Sequence, residues 1–201
     1  MPLVIVRHAP TLAKGVCYGQ SSVATAIAPH EAAELIADRW PHDHPPSQVW
    51  SSPLPRCRDV ASHLATRWSI AHTDDPRLME VDFGRWEGRT WDAIEADEPE
   101  AFQRWMANWM SVAPPKGERV DQLEARVKQW WEEQCEADRF GAHRWHLMVG
   151  HAGVIRALRV IVHGASWEEA MGRGVAHLEP ELFGQEPLPT APRPTPHPRT
   201  H

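Results

Sequence analysis

The chain has 201 residues, with 21 Lys and Arg against 27 Asp and Glu and a formal net charge of −6 at pH 7. That length suits one α/β domain with a substantial core and is short for two. The acidic balance argues against a general nucleic-acid binder, which needs a basic face, and leaves room for a local cationic pocket.

Leu3-Val4-Ile5-Val6 is an apolar, largely β-branched run that reads as a short strand buried on both faces. Arg7 and His8 follow at once, so two phosphate-compatible side chains sit at the carboxyl end of a strand, where open α/β sheets hold ligands. The amino terminus is strand-like and runs straight into polar residues, unlike a signal peptide. Residues 11–28 contain Gly15 and Gly19 without sustained apolar periodicity, and read as a loop at the mouth of whatever Arg7 and His8 line. Pro29 suits the first position of a helix. Ala32, Ala33, Leu35, Ile36 and Trp40 recur along it at three-to-four spacing, and Pro41 stops it. His42 and His44, flanking Asp43, read as solvated loop residues rather than metal ligands.

Gln48–Ser51 is a second strand candidate, after which Ser52 is placed to cap a helix with Pro53 at its first position. Leu54, Cys57, Val60, Ala61, Leu64 and Trp68 mark the buried side of that helix. Arg56 lies in its first turn, where free N–H groups and the dipole favour an anion. Residues 69–73 read as another strand. Residues 78–88, with Glu80, Gly84 and Gly88, read as a structured loop in which Asp82 and Glu87 are solvated acids. Residues 91–140 read as helical, with a break at 114–118. Their stripes, Phe102, Trp105 and Trp109 and then Leu123, Val127 and Trp130, read as core rather than as a substrate platform.

Trp145–Val149 is a third buried-strand candidate, followed by the turn Gly150-His151-Ala152-Gly153 and an apolar helix ending at Gly164. Ser166 and Glu169 form a capping box for a short helix. Residues 174–178 offer an edge strand. Proline dominates from residue 185, so 185–201 read as a disordered or extended tail. Cys17, Cys57 and Cys135 are far apart and form no CxxC pair, which points away from a disulfide framework or a zinc site. No apolar run approaches a membrane span, and a cytoplasmic location is expected.

Strand, turn and helix thus succeed one another at Arg7-His8, at Ser51–Arg56 and at Gly150-His151. This predicts an α/β fold with a doubly wound, mainly parallel sheet flanked by helices. A helical insertion, about residues 90–140, follows the third strand, all within a single domain over residues 1–184. The three turns share one sheet edge and can converge at a switch point. Two imidazoles and two guanidiniums in one pocket suit a phosphoryl group, since guanidinium binds its oxygens bidentately and imidazole can attack phosphorus.

Four motifs stand in order: Arg7-His8; Ser51-Ser52-Pro53-Leu54-Pro55-Arg56; Glu80 followed by Gly84-Arg85-Trp86-Glu87-Gly88; and Gly150-His151-Ala152-Gly153. Together they resemble the histidine phosphatase superfamily, also called the phosphoglycerate mutase-like family, across residues 3–180. Cys17-Tyr18-Gly19-Gln20 and Pro114-Pro115-Lys116-Gly117-Glu118 further resemble its α-ribazole phosphatase branch, which acts on an intermediate of cobalamin nucleotide-loop assembly. The resemblance implies that His8 is the nucleophile that becomes phosphohistidine, and that Arg7, Arg56 and His151 form the phosphate pocket. Glu80 is implied as the proton donor to the leaving oxygen and then the base for water. His8 must be unprotonated, which neighbouring arginines favour, and Glu80 must enter protonated, which a dianionic phosphate beside it favours. The implied enzyme is a phosphatase of the histidine acid phosphatase type, without cofactor or metal. It would hydrolyse a small phosphorylated metabolite, with α-ribazole 5′-phosphate as one candidate, and would have neither nucleic-acid nor membrane partners; an oligomer is left open.

Four positions depart from the family pattern: Ala9 replaces the glycine after the catalytic histidine, and Lys14, Ser22 and Arg119 replace an asparagine, an aspartate and a serine. They lie in the substrate-facing parts of the motifs and bear on specificity more than on chemistry. Two alternatives follow: a phosphoglycerate mutase-like phosphotransferase, and a phosphate-binding module that has lost catalysis. The tryptophan-rich segment also offers a stacking wall for an aromatic base, with Trp86 as the residue that would test it.

Overall fold

The computed structural model describes residues 1–137 and 144–184. The proline-rich stretch 185–201 lies outside the described residues. Strand β1 (Leu3–Arg7) alternates as a pleat requires. Leu3 and Ile5 join Trp50 and Met148 on one face, while Val4 and Val6 join Val49, Leu147 and Val149 on the other. Both faces are covered, which is why these strands are apolar throughout rather than alternating with polar residues.

β2 (Gln48–Ser51), β3 (Ala71–Asp74), β4 (His146–Gly150) and β5 (Pro180–Phe183) complete a five-stranded sheet in the order β3-β2-β4-β1-β5. Its first four strands are parallel, and β5 runs antiparallel along β1 at the edge. Helices α1 (Pro29–Asp38) and α2 (Pro55–Trp68) cover one face through Ala32, Ile36, Val60 and Leu64. Helices α5 (Val120–Ala137) and α6 (Ala152–His163) cover the other through Leu123, Val127, Ile155 and Leu158. The sheet is therefore doubly wound and mainly parallel. Between β3 and α5 lie α3 (Trp91–Asp97) and α4 (Pro99–Ala107), and after α6 comes α7 (Trp167–Gly172), opened by the Ser166–Glu169 capping box. α3 and α4 pack around a separate small cluster of Cys17, Trp86 and Ile94. Among the described residues no helix is long and apolar enough to cross a membrane.

Three boundaries differ from the sequence reading. Helix α2 opens with Pro55 rather than Pro53 at its first position. Leu54 is extended, as the residue before a proline prefers, and the Ser52 hydroxyl accepts from the Leu54 N–H at 3.2 Å instead of capping the helix. β3 starts at Ala71 because Ser69, at φ 54°, ends α2 in the left-handed conformation. Residues 174–178 are a strap and not the edge strand: Leu178, at φ 59°, turns the chain, and β5 follows.

Candidate active site

β1 and β4 are adjacent and parallel, with Arg7 paired to Gly150 at their carboxyl ends. The residues that follow each strand, His8 and His151, therefore meet, with ring centroids 5.2 Å apart in an edge-to-face arrangement. Both imidazoles are buried, at 2% and 0% exposure. His8 Nδ1 lies 2.7 Å from the Ala9 carbonyl oxygen, which can only accept, so Nδ1 carries the proton and Nε2 keeps its lone pair. Burial pushes His8 down to about 3 against the pull of the Ala9 carbonyl, and the Arg56 and Arg7 charges push the same way as burial. Burial and then Arg56 hold His151 well below the ordinary histidine range. Both rings are accordingly neutral at pH 7. Ala9 is itself buried in the core, and among the described residues the non-glycines with positive φ are Ser69, Lys116 and Leu178, so the position needs no glycine conformation.

Arg56, in the first turn of α2, is 4% exposed and turns back to donate to the Ser21 carbonyl at 2.8 Å and to that of Gly19. Arg7 donates to the Val175 carbonyl at 2.8 Å. Each guanidinium keeps a buried Nε–H with no partner among the described residues. Buried donors are normally satisfied, and two unmatched cationic ones beside neutral imidazoles make a place for an oxyanion. Arg58, two residues beyond Arg56, is exposed and pairs with Asp59.

Glu80 comes from the loop after β3. Its carboxylate accepts from the Val81 N–H at 3.0 Å and from the Gly153 N–H of α6 at 3.1 Å. A Cβ at position 153 would stand 2.1 Å from Glu80 Oε1, so glycine is what lets the two meet. Arg126 of α5 fixes the loop from behind: it donates to the carbonyls of Arg77, Met79 and Glu80 and forks onto Glu118 at 2.7 and 2.8 Å. Glu87, expected in solvent, is half-buried and accepts from the N–H groups of Gly19, Gln20, Ser21 and Phe83. Burial raises its carboxyl, but those hydrogen bonds outweigh it and leave the group below its ordinary value. Asp82, also expected in solvent, caps a turn by accepting from the Gly84 N–H at 2.7 Å. Gly19 is required here, because a Cβ would overlap the Val81 carbonyl oxygen at 1.8 Å.

The five residues singled out in the sequence are therefore neighbours: Arg7, His8 and Glu80 line one cavity of about 540 Å³, His151 lies against His8, and the Arg56 guanidinium stands 5.6 Å from the centre of the Tyr18 ring that lines the same cavity. Tyr18, Trp91, Trp105 and Trp109 line the same cavity. The tryptophan segment thus divides between wall and core, and Trp86, at 0% exposure, belongs to the core. Lys14, Ser22 and Arg119 are exposed and are not among the lining residues. Sequence reasoning missed His177, whose Nδ1 donates to the His8 carbonyl at 2.6 Å and whose ring lies 5.4 Å from that of His8. The strap brings it there, and no periodicity announces it. Arg156 was hidden in the apolar run of α6, where it is the first of two arginines and lies five residues after His151. Among the described residues no three His, Cys, Asp or Glu side chains group so as to hold a metal ion.

A model of the histidine phosphatase superfamily (branch 1) matches residues 3–178. A metal-independent phosphoserine phosphatase of Arabidopsis thaliana is 30% identical over 170 residues, covering 82% of this chain and 69% of that protein. A bifunctional protein of Mycobacterium tuberculosis is 38% identical over 81 residues, 40% of this chain, and that match spans only 22% of its length. The fold is similar to the crystal structure of the α-ribazole phosphatase of Shigella flexneri, with a TM-score of 0.79 at 23% identity, over 89% of this chain and 87% of that one.

Proposed function

The chain belongs to the histidine phosphatase superfamily (branch 1), and on that premise we propose that it hydrolyses a small phosphomonoester through phosphohistidine at His8. One observation carries the reading: a neutral, buried His8 with a free Nε2 stands beside His151, among two guanidiniums with unmatched buried donors. Nε2 of His8 attacks phosphorus and the bond to the leaving oxygen breaks. Glu80, entering protonated, gives that oxygen its proton. Glu80, now a carboxylate, takes a proton from water, whose oxygen attacks phosphohistidine and frees His8 with release of phosphate. Arg7, Arg56 and His151 hold the equatorial oxygens, the two guanidiniums as fixed positive donors and the neutral His151 ring through an N–H, which stabilises charge in flight without calling for a metal.

The name of the Arabidopsis relative supports metal independence, and the aromatic wall together with the fold likeness supports α-ribazole 5′-phosphate as one substrate to try. A cytoplasmic site of action fits a small-metabolite substrate. His8→Ala is the test. Hydrolysis of phenyl phosphate should fall by about 10³-fold or more while tryptophan fluorescence reports an intact fold, and chelator should leave the parent's rate in place. Activity of His8→Ala within a few-fold of the parent would overturn the assignment.

A further inference from the structure

Arg7 and His8 are clamped by the strap, which comes from far along the chain. It passes over the carboxyl end of β1, where the Leu178 N–H donates to the Arg7 carbonyl at 3.0 Å and the Val175 carbonyl accepts from the Arg7 guanidinium at 2.8 Å. Between these two contacts His177 lies against His8: its Nδ1 is 2.6 Å from the His8 carbonyl oxygen, and the ring centroids are 5.4 Å apart. A carbonyl only accepts, so Nδ1 carries a proton and donates the hydrogen bond. Burial holds this imidazole below the ordinary histidine value against the pull of the His8 carbonyl, and the Arg7 charge pushes the same way as burial. His177 therefore acts at pH 7 as a neutral donor and not as a charge. It does not line the cavity, so it meets no substrate.

The strap does not need this side chain to stay in place. Leu178 is buried in the core cluster beneath α1 and α2, and Arg159 donates to the carbonyls of Arg173 and Gly174 at the strap's start. What the His177 donor does fix is one peptide plane. The His8 N–H already donates to the Gly150 carbonyl of β4 at 3.0 Å, and His177 holds the carbonyl on the other side of the same residue. The His8–Ala9 peptide is planar, so pinning its oxygen pins the start of Ala9. Ala9 is buried and, carrying a Cβ, has a narrower choice of backbone angles than glycine. Its own carbonyl, 2.7 Å from His8 Nδ1, is thereby kept where it selects the tautomer of the ring.

Resting on the phosphatase reading above, we propose that His177 is a positioning residue for the nucleophile: through the His8 carbonyl and Ala9 it holds His8 in the Nδ1–H tautomer, with Nε2 aimed at phosphorus. This route needs a hydrogen-bond donor at the place of Nδ1 and nothing else of the imidazole. An asparagine amide supplies such a donor, whereas a phenyl ring fills the volume without one.

The test compares the parent protein with His177→Phe and His177→Asn, tryptophan fluorescence checking the fold of each. His177→Ala, smaller and equally without a donor, stands in should the phenyl ring not fit. On phenyl phosphate His177→Phe should lose about 10²-fold in kcat, as ångström-scale misplacement does, with KM within about threefold of the parent. His177→Asn should recover most of that loss. A second readout needs no turnover: the 15N signals of protein labelled at its 13 histidines, with those of His8 assigned by their absence from His8→Asn. In the parent the two His8 nitrogens should show one protonated and one free atom. In His177→Phe their signals should move toward each other as the tautomers mix, and His177→Asn should restore the parent pattern. A kcat loss below about threefold in His177→Phe, equal losses in His177→Phe and His177→Asn, or His8 signals unchanged in His177→Phe would each overturn the proposal. If the parent does not hydrolyse phenyl phosphate, the phosphatase reading fails, and the His8 signals alone decide the role of His177.

Discussion

The Ala9 carbonyl chooses which nitrogen of His8 faces the cavity. By accepting the hydrogen bond from Nδ1–H it leaves Nε2 as the ring nitrogen with a free lone pair, and burial with two nearby guanidiniums keeps that atom unprotonated. Alanine in place of glycine at this position therefore removes nothing the proposed mechanism uses. Position 153 is the opposite case. A methyl group there overlaps the tip of the Glu80 side chain, which is flexible, while the nearest core atom, Leu123 Cδ2, is 3.3 Å away. Gly153→Ala should displace Glu80, the proposed proton donor, more than it disturbs the fold. Turnover of an aryl phosphate should drop by about 10²-fold, as ångström-scale misplacement does, with Tm shifting by only about 2–4 °C, equivalent to ~1 kcal/mol. Activity within twofold of the parent would show that this contact does not position Glu80. Arg7, His8, Arg56 and His151 were legible in the sequence because each falls at a strand end or in the first turn of the helix beyond one, where chain order alone predicts convergence. His177, Arg156 and the buried state of Glu87 were not, since each depends on what a distant segment brings to it.

Loops rather than helices complete the site, and Glu87 joins the two that matter. Its single carboxylate holds the backbone of residues 19–21, whose carbonyls orient Arg56, against the loop that carries Glu80. Glu87→Gln keeps the size but sets an amide group against N–H donors, so stability should fall by about 1.5–3 kcal/mol, the worth of a hydrogen bond to a charged group. The pH dependence follows from the depressed carboxyl. An acid bound more weakly to its proton in the folded chain stabilises above the unfolded value, about 4.3, and loses that contribution as pH falls through the folded value. The gap in Tm between parent and variant should thus be full at pH 7 and close below pH ~4; a constant gap would mean that charge plays no part. The same level explains the misplaced boundaries. The sequence reading took Pro53 as the helix start and passed over Pro55, which opens the helix, and the turn at Leu178 had no glycine or asparagine to mark it.

Over the whole molecule, strand order makes the pocket. β4 enters between β2 and β1, so His8 and His151 become neighbours although most of the chain separates them. The doubly wound architecture was legible from three strand–turn–helix repeats and their apolar runs. The return of the chain over β1 was not, because β5 is short and half-buried and shares its pattern with many loops. Arg159, 2% exposed, secures that return: it pairs with both oxygens of Glu181 at 2.7 Å and donates to the carbonyls of Ala170, Arg173 and Gly174. Arg159→Leu leaves Glu181 without its partner, which should cost about 3 kcal/mol, or roughly 8 °C in Tm by thermal melting. A change below ~2 °C would show the pair to be dispensable.

The pairing of β1 with β4 and β5 also sets a timetable for biosynthesis. Both neighbours of the first strand come from residues 146–183, so Arg7 and His8 are made well before the strands they pair with. A nascent or truncated polypeptide ending before that stretch holds His8 without a sheet around it, and the proposed phosphate pocket can assemble only once β4 and β5 have been added.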